Sequence, residues 1–140
     1  KPVLDALVVL KDEGVWLEIT NLVIPTLNDD MKKISEMCGW IVANLGPDVP
    51  IHFSRFFPYY KLNNLPPTPM ETMADARKAA MDAGLKFVYI GNIRSEAENT
   101  YCPKCRKLLI ERIGYSVRQN NIMGSACKFC NTRIPGVWEG

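Results

Sequence analysis

One histidine stands in 140 residues. His52 has neither a second histidine nor the carboxylate neighbours that a catalytic metal site recruits, and no Ser-His-Asp arrangement, Walker loop or G-x-G-x-x-G occurs. The familiar hydrolase, nucleotide-triphosphate and dinucleotide chemistries are thereby left without their residues. Long apolar runs are missing too: none approaches the roughly 18 residues that span a bilayer. The opening Lys1-Pro2-Val3-Leu4-Asp5 carries no signal-peptide pattern. A reducing, cytoplasmic setting and no membrane partner are the expectation. There is no internal repeat and no low-complexity tract, and 47% apolar with 23% charged residues is ordinary for a soluble globular chain.

What the chain does have is cysteine in a pattern. Cys102-Pro103-Lys104-Cys105 and Cys127-Lys128-Phe129-Cys130 are two C-x-x-C pairs with 21 residues between them, the length of two short strands. A C-x-x-C turn lets both sulfurs reach one ion at about 2.3 Å, and two such turns complete a tetrahedron around Zn²⁺. Structural zinc on Cys102, Cys105, Cys127 and Cys130 is the first reading. A rubredoxin-like iron site or an iron–sulfur cluster accepts the same thiolates, and disulfides come last in a reducing compartment. Cys38 lies in a helical stripe and reads as a small buried hydrophobe.

Charge divides along the chain. Residues 1–99 carry 10 basic and 13 acidic side chains, residues 100–140 carry seven and two. The four-cysteine region is therefore the basic end, at +5 before the metal and its thiolates bring it to about +3. The aromatic residues do not alternate with the basic ones as a stacking platform requires, so a solvated basic face rather than nucleic acid is expected.

From residue 1 to 99 helix and strand alternate three times, the rhythm of an α/β domain with parallel strands. The spacing predicts helices over 2–13, from Asn28 or Asp29 to Gly46, and from a Thr68-Pro69-Met70-Glu71 capping box to Gly84. Strands are expected over 15–24, 51–57 and 86–90, and the helical face Met31, Ile34, Met37, Cys38, Ile41, Val42, Leu45 should be core. The polar, proline-rich segment 58–67 follows the C-terminal end of a parallel strand, where α/β proteins place chemistry. Residues 108–113 and 115–118 should form a hairpin turning at Gly114, with Trp138 packed over it.

Strand alternation sorts the polar residues. Glu18, Thr20, Leu22 and Ile24 share one face of the first strand, and His52, Ser54 and Phe56 one face of the second. A glutamate in an apolar strand calls for a partner, either a ligand or a cation such as Arg55. His52 reads as a satisfied hydrogen-bonding residue or as a ligand contact.

Four segments together carry a resemblance: 17–29 (LEITNLVIPTLND), 51–58 (IHFSRFFP), 84–92 (GLKFVYIGN) and 99–105 (NTYCPKC). In this order they resemble the radical SAM family, more narrowly the pyruvate formate-lyase activating enzyme-like branch, the radical SAM member of the AmmeMemoRadiSam group, which ends in a ribbon of this type. The resemblance implies an α/β fold built as the C-terminal half of a partial (β/α)6 TIM-like barrel (1–99), followed by a small four-cysteine zinc-ribbon-like β domain (100–140). In that family a [4Fe–4S] cluster on C-x-x-x-C-x-x-C reduces S-adenosylmethionine, and the 5′-deoxyadenosyl radical abstracts hydrogen from substrate.

This chain has no C-x-x-x-C-x-x-C. The resemblance thus implies a C-terminal part, starting at the helix before the fifth barrel strand, inactive alone, whose partner is the N-terminal half of its own barrel, with a protein substrate in the parent. By the same resemblance Thr20, Glu18, His52, Ser54 and Tyr60 face the S-adenosylmethionine cavity, Tyr60 standing where activating enzymes often have histidine. Arg106 and Asn131 replace the glycine that commonly follows each knuckle. A cut barrel leaves an open edge and an apolar face, so copies should associate. The alternative is a zinc-ribbon module binding nucleic acid or a protein, with the α/β part as scaffold.

Overall fold

The computed structural model describes residues 2–58 and 64–138. It forms two compact units, Lys1–Ile93 and Arg94–Gly140. The division falls ahead of the 99/100 boundary read from the sequence because the 3₁₀ turn Glu96–Glu98 is tied to the second unit: Arg112 donates its backbone N–H to Asn99 Oδ1 at 2.8 Å and its Nη1 to the Glu98 carbonyl at 3.1 Å.

The first unit runs α1 (Pro2–Asp12), β1 (Ile19–Val23), α2 (Met31–Leu45), β2 (Ile51–Arg55), α3 (Met70–Asp82) and β3 (Val88–Gly91). The strands form one parallel sheet in the order β1-β2-β3. The α/β alternation and every predicted element are present, but the strands are shorter than 15–24, 51–57 and 86–90. In each case a backbone group has another partner. Val15 donates back to the Leu10 carbonyl at 3.0 Å, prolonging the turn after α1. Phe56 N–H goes to Thr68 Oγ1 at 3.0 Å, and Lys86 N–H to the Pro47 carbonyl at 3.0 Å.

Two expected caps differ as well. Asp30, rather than Asn28 or Asp29, caps α2, accepting from Lys32 N–H at 2.9 Å. Asn28 instead accepts from Ile24 N–H at 2.6 Å and donates to the Leu22 carbonyl at 2.7 Å, closing the exit of β1. Pro69 occupies the cap of α3 with no side-chain bond, so the capping box does not form. Thr68 is fully buried, with Oγ1 accepting from Phe56 and donating to the Val23 carbonyl; it ties the ends of β1 and β2 together. Gly46, at φ 96, ends α2 as expected, its N–H reaching the Ile41 and Val42 carbonyls. A side chain there would be strained.

The core lies between one face of the sheet and the touching helices α2 and α3. Val23, Ile51, Phe53, Val88 and Ile90 meet Ile34, Cys38, Ile41, Leu45, Met73, Ala76 and Ala80, all buried. The predicted α2 stripe supplies its share, and burial pushes the Cys38 thiol up to about 11, the inert hydrophobe expected. No helix of the first unit covers the other face among its described residues. Register places Thr20 beside His52 beside Tyr89, and Leu22 beside Ser54 beside Gly91, and these positions are half-buried or exposed. α1 buries no residue, leaving Val3 and Val9 exposed.

The second unit carries β4 (Thr100–Tyr101), β5 (Leu108–Ile113) and β6 (Ser116–Asn120) in one antiparallel sheet, and β7 (Ile122–Met123) with β8 (Ala126–Cys127) in another. The hairpin turns at Gly114 (φ 60) as predicted, with Tyr115 in the turn and β6 starting one residue later. Its buried apolar residues are Leu109, Ile110 and Ile134, with Cys102 and Cys127. Trp138 lies against Gly136, where a Cβ would come within 2.8 Å of the indole, and donates Nε1–H to the Ile134 carbonyl at 2.7 Å. No helix among the described residues is long and apolar enough to cross a membrane.

Candidate functional site

The four paired cysteines converge. Cys102, Cys105, Cys127 and Cys130 place their Sγ atoms within 4.8 Å of one another. Cys102 and Cys130 are 3.6 Å apart, Cys105 and Cys127 3.7 Å. A tetrahedron of sulfurs 2.3 Å from zinc has edges of about 3.8 Å, whereas a disulfide needs about 2.05 Å. The thiols are unbonded and spaced for one metal ion.

The backbone builds this from two copies of one turn. In the first knuckle Arg106 donates to the Cys102 carbonyl at 2.9 Å and Cys102 to the Lys107 carbonyl at 3.0 Å. In the second, Asn131 donates to the Cys127 carbonyl at 2.8 Å and Cys127 to the Thr132 carbonyl at 2.8 Å. Closing each turn requires a positive φ, 68 at Arg106 and 62 at Asn131, the positions where the sequence lacks the usual glycine. Asparagine tolerates that region better than arginine, so the first knuckle carries more backbone strain.

Electrostatics distinguish the sulfurs. Cys130 is lowered to about 6, chiefly by the Thr132 hydroxyl 3.2 Å away and by the Thr132 backbone, with burial opposing. Cys105 receives a favourable bond from the Lys107 backbone, yet burial and the three neighbouring sulfurs hold it up at about 11. Four thiolates crowd together only around a cation that balances their charge, so this donor set suits a metal ion. Phe129 donates its N–H to Cys127 Sγ at 3.4 Å, a further bond to a ligand atom. Zinc and iron fit this donor set alike.

In the first unit the open face of the sheet collects four of the five residues singled out for a cofactor. Glu18, directly before β1, places Oε1 3.1 Å from His52 Nε2. His52 stacks on Tyr89, ring centroids 5.0 Å apart and planes inclined by 19°. Thr20 is next to His52 in register, and Ser54 lies one row further on. Tyr60 lies outside the described residues. Glu18 is half exposed and its partner is His52, not Arg55, whose Nε donates to the Thr68 carbonyl at 2.7 Å while its guanidinium lies 5.0 Å over Phe57.

Tyr89 is the residue that sequence reasoning passed over. Its signal was available: after Lys86, the run Phe87-Val88-Tyr89-Ile90 has Tyr89 as its one side chain with a polar group. Phe129 was overlooked too, read only as a spacer between two ligands.

No family model matches the chain. It is 44% identical over 137 residues to an uncharacterized protein of Methanocaldococcus jannaschii. The match takes in 96% of this chain and 41% of that protein, so the chain spans about two fifths of the length of the relative it matches.

Proposed function

We propose that the chain is the C-terminal part of a cytoplasmic radical SAM enzyme resembling pyruvate formate-lyase activating enzyme, and that the four-cysteine unit is a structural zinc ribbon behind a half barrel. The observation that carries this reading is the face of β1-β2-β3 on which no helix of the first unit packs among the described residues. Parallel sheets are covered on both faces, by helices on each side in doubly wound folds or by closure into a barrel. Here α2 and α3 touch each other and pack on the same face, as barrel helices do, while the opposite face carries the polar groups of Glu18, Thr20, His52, Ser54 and Tyr89 around the exposed Leu22. The relative's additional length supplies chain enough, in that protein, for the rest of a barrel.

On this reading the Thr20 and Ser54 hydroxyls and the Glu18 carboxylate provide hydrogen bonds to the ribose and amino-acid groups of S-adenosylmethionine. Glu18 and Tyr89 fix the His52 ring between them, so the cavity wall is set before ligand arrives. Together with a [4Fe–4S] cluster the cofactor supplies hydrogen-atom abstraction. The ligands of that cluster come from outside this chain, whose five cysteines are taken up by the ribbon and the α2 core. The test is cleavage of S-adenosylmethionine to methionine and 5′-deoxyadenosine by the full-length protein. Thr20→Val and Glu18→Gln should each raise the KM for S-adenosylmethionine about five- to tenfold, the scale of one hydrogen bond lost. A full-length protein that holds a reducible cluster and leaves the cofactor intact would refute the reading.

A further inference from the structure

The second knuckle does something that a zinc staple does not require: it holds an aromatic ring out to solvent. Phe129 sits between the two ligands Cys127 and Cys130, its N–H on Cys127 Sγ, and it is 45% exposed. Two ammonium groups gather on this ring. Lys107, from the first knuckle, places Nζ 4.9 Å from the ring centroid, and Lys128 places its own 6.0 Å away. Lys107 and Phe129 are 22 positions apart in sequence, so the pairing is made by the knuckles and was invisible to a search for alternating aromatic and basic residues. Lys104 and Arg106 lie in or beside the first knuckle and Arg133 follows the second, while Glu111 is the one acidic residue between Asn99 and Trp138. Exposed cation–π contacts are worth about 0.5–1 kcal/mol, and what sets Phe129 apart from other exposed apolar residues of this unit, such as Val137 and Met123, is that it is an aromatic ring with two cations over it.

We propose that Phe129 is a stacking platform for one base of a single-stranded nucleic acid, with Lys107 and Lys128 on the flanking phosphates. A partly exposed ring with cations over it, which swing onto phosphates as a base takes their place on the ring, is how a sequence-tolerant single-strand binder would combine stacking with backbone neutralisation. An acidic peptide would use the lysines but gains nothing from the half-exposed ring. The four thiolates and a divalent metal put −2 beside the platform, leaving the 100–140 segment near +3, enough for modest and strongly salt-dependent affinity. The platform exists only while the metal closes the knuckle, so binding is metal-gated. None of this depends on the radical SAM reading: the surface lies wholly within the second unit.

The experiment is fluorescence anisotropy of the zinc-loaded chain with labelled 15-mers of oligo(dT) and oligo(rU), repeated from 20 to 300 mM salt. Phe129→Ala should weaken binding by about 5- to 150-fold, the measured range for one stacked base, with the salt slope unchanged. Lys107→Gln and Lys128→Gln should each flatten the slope by about 0.7. Phe129→Leu, which keeps an apolar side chain but removes the π-face, serves if the alanine variant loses zinc, and should weaken binding in the same range. Chelating the metal should abolish binding. Undiminished binding by Phe129→Leu, or equally tight, Phe129-dependent binding of poly-glutamate, would overturn the proposal.

Discussion

The two units solve the same problem with different means. The first buries its apolar residues in a conventional layer, with Phe53, Ile51, Leu45 and Met73 fully enclosed between sheet and helices. The second has Leu109, Ile110 and Ile134 as its buried aliphatic side chains. Units of under 50 residues with so little core need a metal or disulfides. Cys102 and Cys127 are buried like core residues while their sulfurs face the two partly exposed cysteines. The comparison teaches that a metal ion on the four cysteines would stand in for hydrophobic burial in the second unit, and that each unit should fail by its own route.

The largest effect should come from taking the metal away. Structural zinc contributes about 10–16 kcal/mol of binding free energy that is folding free energy, so a strong chelator or Cys127→Ser should abolish amide protection in β5 and β6 and leave β1, β2 and β3 protected, as read by hydrogen exchange. The same site should bind more tightly as pH rises, because metal displaces the proton that Cys105 holds up to about 11. Zinc affinity that does not change between pH 6 and 8 would contradict the picture of a proton-competing thiol cluster.

Phe53→Ala should do the reverse, costing the first unit about 3–5 kcal/mol while zinc stoichiometry stays at one. Thr68→Val comes next, since it keeps the volume but strands the Phe56 N–H and the Val23 carbonyl; about 1–3 kcal/mol is expected, read as a fall in the denaturant midpoint of the first unit alone. Glu18→Gln should be smallest. The pair it makes with His52 is exposed, 50% and 36% on the two side chains, so stability should change by less than about 1 kcal/mol. A large loss there would make the pair structural and remove the reason to see Glu18 and His52 as a ligand wall.

Much of this was legible in the sequence because it depends on local spacing. The C-x-x-C pairs announced the sulfur cluster, the stripe Ile34, Cys38, Ile41, Leu45 announced the buried side of α2, and strand alternation put Thr20 with Glu18 on one strand and His52 with Ser54 on the next, their meeting being implied by the resemblance alone. What escaped depends on contacts between distant segments. Thr68 looked like a helix cap because a capping box is a local pattern, and only the meeting of β1 and β2 gave its hydroxyl two better partners. Arg55 was the natural partner for Glu18 by charge, yet strand alternation sends it to the helix side of the sheet. Lys107 met Phe129 only when both knuckles folded.

The central claim is that the open face of the parallel sheet belongs to a larger catalytic barrel. The most direct measurement is the intact mass and N-terminal sequence of the native protein, together with its iron and sulfide content. The account predicts a chain approaching the length of the relative, of which the matched 137 residues make 41%, carrying C-x-x-x-C-x-x-C and four irons beside the ribbon metal. A native chain that begins near Lys1 and holds one metal ion on its four ribbon cysteines would contradict it, and would leave the ribbon as the working part.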